Sequence, residues 1–77
     1  MRARLYIHDK PYGDPATTLD TLFDRATRNY ATRFGLKVPP DERWYLTWVI
    51  VLKDAKGMTR VWQGEHAPEY RVVVEEW

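Results

Sequence analysis

The chain has 77 residues and no cysteine, and its twelve basic and eleven acidic side chains give a formal net charge of +1. This composition excludes a disulfide scaffold, a thiolate metal site and a cysteine nucleophile, and it argues against strong electrostatic attraction to nucleic acid or an anionic membrane. Four tryptophans and five tyrosines supply the apolar mass for one small folded domain over residues 1–77.

The first predicted element is a strand over residues 2–8. Its apolar side chains alternate, with Ala3, Leu5 and Ile7 on one face, which is typical of a half-buried strand. Residues 9–15 contain two prolines and a glycine, so this segment is predicted to be a loop.

A helix is predicted over residues 18–34, where the apolar side chains recur every three or four positions. The members of this stripe are Leu19, Leu22, Phe23, Ala26, Tyr30 and Phe34. Thr17 or Thr18 is the expected cap, with its hydroxyl accepting from a free N–H of the first turn. Gly35 ends the helix because glycine adopts the left-handed conformation at little cost.

Three further strands are predicted over residues 43–53, 58–63 and 69–76, the first rich in aromatic and β-branched side chains. The turn at 54–57 joins the first two as a hairpin. The resulting order is β-α-β-β-β, which predicts an α+β fold with one amphipathic helix packed on one face of an antiparallel sheet.

Both faces of the 43–53 strand are apolar, and one helix covers only one of them. We expect the helix over the face that carries Trp44, Leu46, Trp48, Ile50 and Leu52. The hairpin turn predicts that Trp62 lies opposite Ile50 and Val61 opposite Val51. The second face would then expose an apolar patch, the expected partner-binding surface, formed by Tyr45, Val49, Val51 and Val61. The alternative is that a terminal segment covers this face, with Trp77 as a plug.

These features favour a small, non-catalytic, cytoplasmic interaction protein that binds a protein partner or a second copy of itself. Such a protein would be a regulator, adaptor or inhibitor, for instance one encoded by a phage or mobile element. The longest apolar run, 48–52, is too short for a membrane span, and no apolar signal segment follows the N-terminus. No cofactor is expected. The chain lacks serine as well as cysteine, and its four glycines are scattered, which argues against an enzyme.

Two alternative functions remain open from the sequence. A nucleic-acid-binding module would use the polar helix face, which carries Arg25, Arg28, Asn29, Thr32 and Arg33. A metal protein or enzyme would be built on His8 and His66, each of which has an acidic neighbour. Nothing in the spacing of these histidines requires a metal, and exposed residues at strand ends are the expected outcome.

Overall fold

The computed structural model describes residues 1–37 and 46–77. Within them lie one helix and five strands, which follow the chain in the order β-β-α-β-β-β. Their bounds are β1 Arg2–Ile7, β2 Lys10–Pro11, α1 Leu19–Phe34, β3 Trp48–Lys53, β4 Thr59–Gly64 and β5 Tyr70–Glu76. The helix and the strands predicted at 2–8, 58–63 and 69–76 are each recovered within one residue at either end.

The strands form one antiparallel sheet in the order β2-β1-β5-β4-β3, which confirms the predicted α+β fold. The sheet has one strand more than predicted, because part of the expected 9–15 loop pairs with β1. His8 and Asp9 both adopt left-handed backbone angles, with φ of 52° and 64°, and so make a tight two-residue hairpin. Pro11 is tolerated in β2 because an edge strand forms backbone hydrogen bonds on one side only, so a residue without an N–H group can be accommodated there.

The helix bounds agree with the prediction to within one residue. The first turn, however, lacks the predicted side-chain cap. Thr18 is the N-cap residue, and its side chain makes no capping hydrogen bond to the backbone. Its hydroxyl instead lies 2.7 Å from the hydroxyl of Thr21. At the other end Gly35 has φ of 66°, and the Leu36 N–H donates to the Ala31 carbonyl at 2.8 Å. The predicted glycine stop is therefore confirmed.

The core lies between the helix and the centre of the sheet. Leu22 and Ala26 of α1 are fully buried against Leu5 of β1 and Tyr70 and Val72 of β5. The helix packs chiefly on β1 and β5, the second and third strands across the sheet. Strands lie about 4.8 Å apart and a helix with its side chains is about 10 Å wide, so one helix covers about two strands. Strand β3 therefore lies outside the main cover of the helix.

The start of β3 differs from the predicted strand over residues 43–53. Positions 43–45 lie outside the described residues, and the described strand begins only at Trp48. Thr47 has φ of 47°, a left-handed conformation that interrupts an extended backbone. The Glu65 N–H donates to the carbonyls of both Leu46 and Thr47, and Leu46 is fully buried in the core. Leu46 thus belongs to a turn rather than to the strand.

Candidate interaction surface

The sheet face opposite the helix carries less accessible apolar surface than the sequence indicated. Val61 is only 5% exposed, although Val61 pairs with Val73 on this helix-free face. The expectation that Val61 is part of an exposed patch is therefore wrong. Val49 is half-buried and Val51 is exposed. Tyr45, the fourth predicted residue, lies outside the described residues.

The exposed apolar surface lies instead along β3 and the turn that follows it. We call this surface the hairpin patch, and its members are Ile50 (52% exposed), Val51 (43%), Leu52 (55%) and Met58 (43%). Ile50 and Leu52 were expected beneath the helix, and this expectation is wrong for both. Trp48 and Trp62 do reach the helix, since the Phe23 ring lies 4.8 Å and 6.0 Å from their rings. The helix thus covers only the start of β3.

The pairing of β3 with β4 places the patch on both sides of the sheet. Ile50 pairs with Trp62, as predicted. Val61 pairs with Leu52 rather than with the predicted Val51, because the register is irregular between Ile50 and Lys53. Ile50 therefore shares the face of Trp62 and Leu52 the face of Val61, with Val51 as the extra residue between them, so the patch extends over both sides of the strand.

The β3–β4 turn is held by the carboxylate of Asp54. Its Oδ1 accepts from the N–H groups of Lys56 and Met58 at 2.9 and 3.0 Å, and its Oδ2 accepts from Arg60 Nε at 3.1 Å. Burial raises the pKa of Asp54, but the hydrogen bonds from Met58, Lys56 and Arg60 outweigh this effect, so the pKa lies below its usual range. The turn that joins β3 to β4, next to the hairpin patch, is therefore ordered by the hydrogen bonds to Asp54.

The three arginines of the polar helix face each contact an oxygen atom of the chain itself. Arg25 donates to the Asp14 carbonyl at 2.7 Å, and Arg28 pairs with Asp24 at 2.9 Å. Arg33 pairs with Glu69 at 2.9 Å. Of the two remaining predicted residues, Thr32 is exposed and Asn29 is half-buried. Each of the three guanidinium groups is thus engaged by an oxygen of the chain itself.

Asn29 takes part in a polar contact that the sequence did not indicate. The Tyr70 hydroxyl donates to Asn29 Oδ1 at 2.6 Å, although Tyr70 as a whole is fully buried. Arg33, which pairs with Glu69 at 2.9 Å, lies near the Tyr70 hydroxyl. Burial raises the pKa of Tyr70 above its usual range, and the neighbouring Arg33 offsets this only in part. These residues join the end of the helix to β5 and have a structural role.

Both histidines lie in exposed connections between strands. His8 occupies the β1–β2 turn, and His66 is exposed in the connection between β4 and β5. Among the described residues, no three histidine, aspartate or glutamate side chains gather as a set of metal ligands. At the end of the chain Trp77 remains 44% exposed, so it is not a buried plug over the helix-free face.

Comparison of the chain with protein-family models, curated proteins and solved structures yields no match. Within residues 1–37 and 46–77, no helix has the length and apolar character needed to cross a membrane. We therefore infer function from the surface chemistry of the chain itself.

Proposed function

We propose that this chain is a non-catalytic interaction protein that associates with a second copy of itself by adding strand β3 of one copy to β3 of the other. The observation that supports this proposal is the hairpin patch on an edge strand. Three successive side chains of β3, Ile50, Val51 and Leu52, are 43–55% exposed, and no other strand of the described residues pairs with the outer side of β3. An edge strand offers unpaired N–H and C=O groups to another strand.

The two edges of the sheet contrast in a way that supports strand addition at β3. The opposite edge, β2, has only two residues, a lysine and a proline. Short length, lysine and proline are the features that block edge-to-edge pairing in natural sheets. Strand β3 has the sequence WVIVLK, with its only charge at the last position. Among the strands that the structure describes, edge pairing is therefore disfavoured at β2 and available at β3.

The sequence of β3 is self-complementary when two copies pair antiparallel. A two-fold axis perpendicular to the sheet keeps the two helices on the same side of the combined sheet. Side chains that lie opposite one another across the new strand pair therefore point to the same side of that sheet. With Ile50 opposite its own copy, Trp48 and Val49 of one copy lie alongside Val51 and Leu52 of the other, so apolar side chains meet apolar side chains on both sides of Ile50. Lys53, the only charged residue of β3, then lies near the first residues of the other copy's β3 and away from the other Lys53. The net charge of +1 adds little repulsion between two copies.

The first test is the molar mass of the protein, measured by light scattering over a range of concentrations. We expect a concentration-dependent dimer of twice 9.2 kDa. Val51→Lys should give a monomer that melts cooperatively, because a charge at this site opposes burial. Leu36→Lys is the matched control, since Leu36 and Val51 are both 43% exposed and Leu36 lies just after the helix. A monomer at every concentration would overturn the pairing of two copies and leave the edge to a strand of another protein.

A cysteine cross-link tests the register directly, because the natural chain contains no cysteine. In the proposed dimer the two Ile50 Cα atoms lie about 4.5–5.5 Å apart, within the range that a disulfide bridges. Ile50→Cys should therefore oxidise to a covalent dimer at low protein concentration. Ala55→Cys, in the exposed turn, should not. Equal cross-linking of the two variants would reject this register.

A further inference from the structure

A half-open pocket of about 230 Å³ lies on the helix-free face of the sheet, away from the hairpin patch, and is lined by Tyr6, Asp9, Arg71 and Val73. Arg71 and Val73 face away from the helix because the alternate residues of β5, Tyr70 and Val72, are buried beneath it. Tyr6 is the direct cross-strand neighbour of Arg71 on β1. The pocket thus combines a guanidinium group with the side chains of a tyrosine and a valine.

Arg71 is poorly paired within the described part of the chain. Its Nε is buried without a hydrogen-bond partner. Its nearest carboxylate oxygen, Asp9 Oδ1, lies 4.0 Å from Nη1, and the Asp9 side chain is 88% exposed. By contrast, Arg28 and Arg33 contact their carboxylates at 2.9 Å, and Arg60 does so at 3.1 Å. Arg71 therefore keeps most of its capacity to donate hydrogen bonds.

The geometry points to a binding site for a small carboxylate. Because Nε is enclosed, the accessible part of the guanidinium is its outer end, where Nη1 and Nη2 form a planar fork that matches a carboxylate. The volume of about 230 Å³ equals that of about eight water molecules at ~30 Å³ each, which leaves room for an apolar group against Tyr6 and Val73. We propose that this pocket binds a monoanionic carboxylate attached to a small apolar or aromatic group.

The charge of Asp9 selects among anions. Asp9 lies beside the cation and repels any incoming anion, and this repulsion is greater for a dianion than for a monoanion. A monoanionic carboxylate is therefore preferred over a dianionic phosphate. Removal of the Asp9 charge should tighten anion binding, an effect that loss of folding cannot imitate.

The test is titration of the isotope-labelled protein with sodium benzoate at constant ionic strength, followed by amide chemical shifts. We expect saturable shifts centred on Tyr6, Asp9, Arg71 and Val73, with a Kd in the millimolar range. Benzamide, the neutral analogue, should bind more weakly, and so should inorganic phosphate. Shifts that sodium chloride reproduces would overturn the proposal, and tighter binding of phosphate than of benzoate would overturn the preference for a carboxylate.

Three variants assign the binding to this pocket. Arg71→Gln should abolish the saturable shifts, and Arg28→Gln, a surface arginine on the helix, should keep them. Asp9→Asn should lower the Kd for benzoate about two- to fivefold, as expected for removal of one exposed charge. Unchanged benzoate affinity in both Arg71→Gln and Asp9→Asn would place binding elsewhere and refute the proposed site.

Discussion

Replacement of Tyr70 by phenylalanine tests the contact between the end of the helix and β5. The Tyr70 ring is fully buried, with its centroid 5.9 Å from that of Tyr30, and phenylalanine preserves this packing. The substitution removes the hydroxyl that donates to Asn29 Oδ1 at 2.6 Å. The perturbation is therefore confined to one polar contact.

The expected loss is about 1 kcal/mol of the free energy of unfolding. A hydrogen bond between neutral groups contributes about 0.5–1.5 kcal/mol net, and the half-buried Asn29 amide is partly accessible to water after the substitution. A loss of about 1 kcal/mol lowers the Tm of a domain of this size by about 4–8 °C. This is a large share of the roughly 3–5 kcal/mol that so small a core supplies.

The assay is a double-mutant cycle of Tyr70→Phe and Asn29→Ala, measured by urea and thermal unfolding. Asn29→Ala alone leaves the buried hydroxyl without its acceptor and should cost as much as Tyr70→Phe or more. We expect a coupling energy of about 0.5–1.5 kcal/mol between the two sites. Additive losses would refute the contribution of this hydrogen bond.

The difference in stability between the wild type and Tyr70→Phe should also depend on pH. Burial, partly offset by Arg33, raises the pKa of Tyr70 in the folded state. The unfolded chain therefore loses this proton first, and the wild type is destabilised as the pH rises through about 10 and towards the folded-state pKa. Tyr70→Phe lacks this group. The difference in Tm between the two proteins should be constant below about pH 9 and narrow above about pH 10.

Four further substitutions test other parts of the structure by thermal unfolding. The pKa of Asp54 is lowered in the folded state, so the advantage of wild type over Asp54→Asn should be present above about pH 4 and decline as the pH falls below it; a constant difference would contradict the turn contacts. Leu22→Ala should cost about 2–5 kcal/mol and leave much of the chain unfolded, whereas Phe34→Ala, at a half-exposed position, should cost far less. Gly64→Ala should destabilise by about 1–3 kcal/mol, because the new Cβ would lie 2.6 Å from the Ala67 carbonyl oxygen; wild-type stability would show that the backbone yields there.

Local patterns in the sequence predicted most of the elements. The spacing of Leu22, Phe23 and Ala26 predicts the buried helix stripe, and Gly35 predicts its end; both are confirmed. The length of the 54–57 turn predicts the pairing of Ile50 with Trp62, because the turn sets the register of a hairpin. These features depend on residues that are only a few positions apart, so they can be predicted from the sequence.

Strand β2 was missed because its turn has an unusual composition. Two-residue hairpin turns with both residues left-handed favour Asn-Gly or Asp-Gly, whereas this turn is His8-Asp9. Two prolines nearby also argue for a loop. The pairing of Lys10 and Pro11 with β1 is therefore stabilised by the rest of the sheet rather than by local preference.

The sequence by itself determined the α+β class, the amphipathic helix, the β3–β4–β5 meander and the excess of apolar residues on β3. The tertiary structure alone decided which of those residues are accessible. Val61, expected to be exposed, is buried, while Ile50 and Leu52, expected beneath the helix, are exposed. The strand order β2-β1-β5-β4-β3 also places Tyr6 beside Arg71, although these two residues are far apart in the sequence. Alternation along a strand indicates which side chains share a face, but the place of each strand relative to one helix, about two strands wide, decides which of them remain available to bind.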